Sequence, residues 1–214
     1  MTVLIAGGGI AGLTLGLTLH QLRIPFHIFE SVKAPKPLGV GINLQPTAVR
    51  ELMEMGLANL LDSVGIRTRD YGFYTKTGVE IWTEPRGLDA GYNWPQYSVH
   101  RGEFHMALLK AVRDRCGADC ITTGARVVGF ANTDTGVSIR VDTEAGHHNV
   151  QGDMLIAADG IHSAIRAQMY PDEGAPVWGG AIMWRGTSLA KPFLTGASMI
   201  LAGHDTQRFV SYPI

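Results

Sequence analysis

Hydrophobic and polar positions change rhythm twice within the first thirty residues. Val3-Leu4-Ile5-Ala6 is a short unbroken apolar run, which predicts a strand buried on both faces. From Leu13 to Leu22 apolar residues recur at helical spacing, and Pro25 stops any helix. Phe26-His27-Ile28-Phe29 predicts a second strand ending at Glu30. Further along, a helix is expected from Thr47 to Met55 after Pro46. Short strand-like pieces alternate over 64–83, with turn signals at Asp70 and Thr77-Gly78. Gln96 to His100 predicts another short strand, and Gly102 to Cys116 an amphipathic helix. Val127–Phe130, Val137–Val141 and His148–Val150 predict a three-stranded meander, turning at Thr135-Gly136 and Ala145-Gly146. Met154 to Ala158 is again a buried-strand run; it ends at Asp159-Gly160, and a helix begins near His162. Strand character returns at Ile182-Met183-Trp184, Ser198–Leu201 and Arg208–Tyr212.

Composition narrows the function classes. The 214 residues carry 18 basic and 19 acidic side chains, so no excess of Lys and Arg is available to displace counterions from nucleic acid. With 45% hydrophobic residues and a net charge of −1, disorder is excluded. Cys116 and Cys120 do not make a disulfide framework, and no signal peptide or membrane-length apolar stretch is visible. The expectation is a cytoplasmic protein that engages no membrane. Those cysteines sit four apart without His partners, and His147-His148 falls in a predicted hairpin, so no metal site is expected. No Gly-x-Ser-x-Gly elbow supports an acyl-transfer nucleophile.

Chemistry concentrates in the turn between the first strand and helix, Gly7-Gly8-Gly9-Ile10-Ala11-Gly12. In this pattern Gly7 permits the tight turn, Gly9 lets backbone approach a pyrophosphate, and Gly12 lets helix and strand pack closely. The freed N–H groups and the positive end of the helix dipole hold phosphates. Glu30 follows Gly12 by eighteen residues and is placed to accept a hydrogen bond from a ribose hydroxyl. Strand, turn, helix and acid together predict dinucleotide binding.

Three segments extend this reading. GGGIAG, the Ser98-Val99-His100-Arg101-Gly102 segment opening a helix, and Ala158-Asp159-Gly160-Ile161-His162-Ser163-Ala164-Ile165-Arg166 resemble the single-component FAD-dependent aromatic hydroxylases of the para-hydroxybenzoate and salicylate type. Pro37–Pro46 and Trp82–Arg101 further resemble the phenazine-carboxylate hydroxylase branch. The resemblance implies a Rossmann-like α/β FAD-binding domain with a β-meander, at 1–65 and 100–170. Part of a smaller mixed-sheet substrate domain would lie at 66–99 and 171–214. It implies that Gly7, Gly9, Ile10, Ala11 and Gly12 cradle the FAD pyrophosphate and that Glu30 holds the adenosine ribose. The Gly41-Ile42-Asn43 backbone would lie along the flavin. Arg101 would reach the FAD phosphates, Ala125 would contact adenine, and Asp159 and Arg166 would serve the pyrophosphate region and NAD(P)H.

The implied activity is hydroxylation of a small, carboxylated aromatic or heteroaromatic substrate with NADH or NADPH and O2. Such chemistry belongs to the flavin, so no catalytic residue is named. The family also carries a later Gly-Asp segment that holds ribitol and pyrophosphate, and nothing after Asp159 fits it. The chain is roughly half the family's extent, so weak flavin retention and background turnover are expected of these residues alone. Alternatives are an FAD-binding fragment without turnover, an FAD-dependent reductase of the same fold, and a non-enzymatic interaction module.

Overall fold

A computed structural model describes all residues, Met1–Ile214. Its first elements are β1 (Val3–Ala6), α1 (Ile10–Gln21), β2 (Phe26–Glu30), β3 (Gly41–Leu44), α2 (Pro46–Glu54) and α3 (Ala58–Val64). Then come β4 (Gly65–Thr68), β5 (Asp70–Thr75), β6 (Glu80–Pro85), β7 (Gln96–His100), α4 (Arg101–Cys116) and β8 (Ile121–Thr123). β9 (Arg126–Thr133), β10 (Gly136–Thr143), β11 (Gly146–Gly152), β12 (Met154–Ala157), α5 (Ala164–Met169), β13 (Ser198–Gly203) and β14 (Arg208–Ser211) complete the chain. These residues form two compact units, Met1–Lys36 with His105–Met183, and Pro37–Phe104 with Trp184–Ile214.

In the first unit, the unbroken apolar run of β1 is explained by its place inside a parallel sheet ordered β12-β1-β2-β8. Both of its faces are covered, and all four residues are buried. Leu4 and Ala6 join Phe29 in a cluster with Val127, Val137, Ile139, Val141 and Ile165, which seats the antiparallel meander β11-β10-β9 and α5 against one side of the sheet. Ile5 faces the other way, toward α1 at Gly12. α5 is tied to β9 by Gln168, whose side-chain amide exchanges two hydrogen bonds with the Phe130 backbone, at 2.9 and 2.6 Å.

The second unit holds two sheets. One is antiparallel, β3-β7-β4; the other, β14-β13-β5-β6, is mixed, because β13 runs parallel to β5 while its outer pairs are antiparallel. Tyr97 and Val99 of β7 are fully buried, as are Val49 of α2 and Leu61 of α3. The opposite side of β7 is polar. Thr68 Oγ1 and Ser98 Oγ lie 2.8 Å apart, and Ser98 donates to Asn43 Oδ1 at 2.7 Å.

The α/β class, the meander and the mixed sheet agree with the sequence reading, and four details differ. Met154–Ala157, expected as a buried strand, forms the edge of its sheet with Met154 46% exposed. Residues 37–65, grouped on sequence with the nucleotide-binding part, belong to the second unit, because β3 and β4 both pair with β7. Ile182-Met183-Trp184 forms no strand. No segment pairs with it, so its strand-prone side chains have no ladder to join, and Trp184 is 94% exposed. The helix expected near His162 starts at Ala164, where Ser163 caps it by accepting from the Arg166 N–H at 2.9 Å. No helix is long and apolar enough to cross a membrane.

Candidate nucleotide-binding site

The site begins where β1 stops. Gly7 has φ +105°, and a Cβ on it would lie 2.3 Å from the Ala158 carbonyl oxygen, so only glycine fits between β1 and β12. Its N–H donates to the Phe29 carbonyl at 2.8 Å, which fixes the turn over β2. Gly12 lies in the first turn of α1, and a Cβ there would sit 1.9 Å from the Gly7 carbonyl oxygen. Helix and turn can meet this closely only through glycine.

Gly9 is different. It is the N-cap of α1 with φ −74° and ψ −176°, an ordinary extended conformation, and a Cβ on it would meet no atom within 4 Å. Neither backbone strain nor protein packing requires glycine there. The space a side chain would take belongs to a cleft of about 330 Å3, bordered by Gly7, Gly9, Glu30, Ala125, Arg126 and Asp159. No side chain caps α1 and no acid lies in its first turn. The first intrahelical bond runs from the Leu13 N–H to the Gly9 carbonyl, so the N–H groups of Gly9, Ile10 and Ala11 find no acceptor in the protein. Unpaired N–H groups at the positive end of a twelve-residue helix suit an anion.

Two carboxylates frame the cleft. Glu30 Oε2 accepts from the Gly8 N–H at 2.7 Å; Oε1 accepts from the Val32 N–H at 2.7 Å and from the Ser31 hydroxyl at 3.2 Å. Glu30 therefore holds the loop backbone as well as bordering the cleft. A carboxylate has about four acceptor positions, so one stays open for a ribose hydroxyl. Asp159 Oδ2 accepts from the Ala164 N–H at 2.9 Å and the Ile165 N–H at 3.4 Å, while its Oδ1 is buried without a donor. A buried oxygen in that state is costly unless a ligand hydroxyl or an ordered water donates to it. The open space at Gly9, the free N–H groups and the orphaned Asp159 oxygen fit the adenosine pyrophosphate portion of a dinucleotide.

The expected site residues divide into three groups. Gly7, Gly9, Glu30, Ala125 and Asp159 border the cleft, with Ile10, Ala11 and Gly12 opening the helix behind it. Arg166 does not border it. It lies on a second hollow of about 290 Å3 beside Asp159, and its charge is taken up by Glu173 at 2.9 Å. Gly41, Ile42, Asn43 and Arg101 belong to the second unit, where β3 pairs with β7 and the Arg101 N–H donates to the Val40 carbonyl at 2.9 Å. There the Arg101 side chain runs beside Gly39 and meets no carboxylate. The Gly41 carbonyl accepts from Arg185 at 2.6 Å, and the Tyr212 ring lies against its Cα. Sequence reasoning missed His105, whose Nε2 lies 2.7 Å from the Gly8 carbonyl oxygen. A contact across 97 positions leaves no local signal. Arg126 and Ser31 were also missed, although each adjoins a residue already singled out.

A family profile described as an FAD-binding domain matches residues 1–176. The chain belongs to this FAD-binding family. It is 43% identical over 216 residues to the phenazine 1,6-dicarboxylic acid hydroxylase PhzS of Lysobacter antibioticus, across 99% of this chain and 53% of that protein. It is also similar to a salicylate hydroxylase of Pseudomonas putida, at 31% identity over 87% of this chain and 42% of that one. Among solved structures, Klebsiella pneumoniae HpxO complexed with FAD and uric acid superposes with a TM-score of 0.75, covering 100% of this chain and 53% of that one. Its 22% identity supports the shared fold alone. This FAD-binding family member spans about half the length of the curated relatives it matches. Those relatives are hydroxylases of the type its motifs resemble.

Proposed function

We propose that this chain binds FAD through its adenosine diphosphate portion and serves an NAD(P)H- and O2-dependent hydroxylation of a small, carboxylated aromatic substrate. The observation that carries the reading is the uncapped start of α1: free N–H groups beside a vacant Gly9 position, with Glu30 and Asp159 on either side. The Gly9, Ile10 and Ala11 N–H groups would donate to the pyrophosphate, and Glu30 would accept from the adenosine ribose. The Ala125 main chain would border adenine, and Asp159 Oδ1 would accept from a hydroxyl or water of the bound group. Gly41–Asn43 and Arg101 would supply backbone and charge to the flavin end, with Arg166 near NAD(P)H. Bound FAD supplies the redox chemistry that takes electrons from NAD(P)H and delivers one oxygen atom of O2 to an aromatic ring. Similarity to the phenazine-dicarboxylate and salicylate hydroxylases supports the substrate class. Two free cysteines suit a reducing, cytoplasmic setting.

Binding is the test that this chain's own residues answer. Fluorescence titration should show saturable FAD binding that ADP competes and riboflavin does not; binding indifferent to ADP would overturn the reading. Salicylate or a phenazine carboxylate should then shift the absorbance of the bound flavin. Oxygen-independent hydride transfer with no response to aromatic acids would assign reductase chemistry instead.

A further inference from the structure

We propose that His105 is a positioning residue of the nucleotide-binding loop: by holding the Gly8 carbonyl, its Nε2–H turns the Gly9 N–H toward a bound pyrophosphate. The proposal rests on the FAD reading above and adds a residue that no motif contains. His105 lies on α4, and its Nε2 is 2.7 Å from the Gly8 carbonyl oxygen. A carbonyl only accepts, so Nε2 carries the proton. The other side of Gly8 is held too, since its N–H donates to Glu30 Oε2 at 2.7 Å. Gly8 is thus gripped at both of its peptide groups, by a carboxylate from β2 and an imidazole from α4.

The consequence follows from peptide planarity. In a trans peptide the C=O and the next N–H point in opposite directions, and this chain has no cis bonds. Fixing the Gly8 carbonyl therefore fixes the Gly9 N–H on the opposite side. That N–H has no acceptor in the protein, and Gly9 borders the cleft. Three consecutive glycines are otherwise the most freely rotating tripeptide a chain offers, and ordering them on binding costs conformational entropy. His105 removes part of that freedom before the ligand arrives, so its contribution concerns the phosphates and not the nucleoside.

The experiment compares ADP with adenosine, titrated calorimetrically into the wild-type chain, His105→Leu and His105→Gln, with thermal melting of each. His105→Leu should weaken ADP binding about three- to ten-fold, the equivalent of one ordinary hydrogen bond, and leave adenosine binding unchanged. His105→Gln, which restores an N–H donor, should recover most of the ADP affinity. Equal losses for ADP and adenosine, or an unchanged ADP affinity, would overturn the role. A readout needing no variant is 15N NMR of the wild-type imidazole in alkaline buffer. The Nε2-protonated tautomer is expected, with ADP shifting the Gly9 amide; the Nδ1-protonated form would refute the clamp even if His105→Leu fails to fold. Absence of ADP binding by the folded wild-type chain would sink the FAD reading itself, and this role with it.

Discussion

Gly9→Val separates a ligand-imposed glycine from a fold-imposed one. At φ −74° and ψ −176° a branched residue meets no backbone strain, and its Cβ touches nothing within 4 Å. The remaining cost to the free protein is the poorer N-cap, roughly 0.5–1 kcal/mol. For a chain of this size that lowers the melting temperature by about 1–4 °C. The same side chain fills the space in front of the Gly9 and Ile10 N–H groups. Losing even one hydrogen bond to a charged phosphate costs about 1.5–3 kcal/mol, so FAD affinity should fall at least about ten-fold. Gly12→Ala is the contrasting variant. Its Cβ would lie 1.9 Å from the Gly7 carbonyl oxygen, a backbone clash that no rotamer relieves, and overpacking of this kind costs about 1–3 kcal/mol or more. Melting by circular dichroism and fluorescence titration with FAD read the two effects separately. If Gly9→Val binds FAD like wild type, or if it melts as low as Gly12→Ala, the phosphate cradle does not lie at this helix start.

Two further outcomes concern titrating groups outside the site. Asp62 accepts from the Tyr97 hydroxyl at 2.5 Å, and that bond, helped by Arg67 and opposed by partial burial, holds its carboxyl below the ordinary 3.8. Its stabilisation is therefore complete above 3.8 and lost as pH falls from there toward the folded value. The melting-temperature gap between wild type and Asp62→Asn should narrow in that acid range, and a gap that widens there would contradict the assignment. At Cys116, burial first and the neighbouring Cys120 second push the thiol from 9.0 to about 11. Near neutral pH its thiolate is then about 100-fold scarcer than usual, so alkylation by iodoacetamide should be correspondingly slow and accelerate up to that pH; labelling as fast as a free cysteine would be inconsistent with this.

Much of the nucleotide-binding unit was legible in the sequence because its signals are local. An unbroken apolar run, three spaced glycines, helical periodicity and an acid eighteen residues on specify a strand, turn, helix and strand before any long-range contact forms. The turns at Gly136 and Gly146 likewise set the meander by short-range rules. Long-range pairing decided the rest. Residues 37–65 read as a continuation of the first unit until β3 and β4 both paired with β7. Ile182-Met183-Trp184 has the composition of a strand but finds no partner, and side-chain preference describes only the side chains of a strand, not its ladder. Glu30 shows both levels at once: its spacing marked it for a ribose, whereas only the folded loop reveals that its carboxylate also holds Gly8, Ser31 and Val32. His105 lay beyond any sequence rule, since α4 reaches the glycine loop only through tertiary packing. One hydrogen bond between residues 97 positions apart is a property of the folded chain and leaves no periodicity in the sequence.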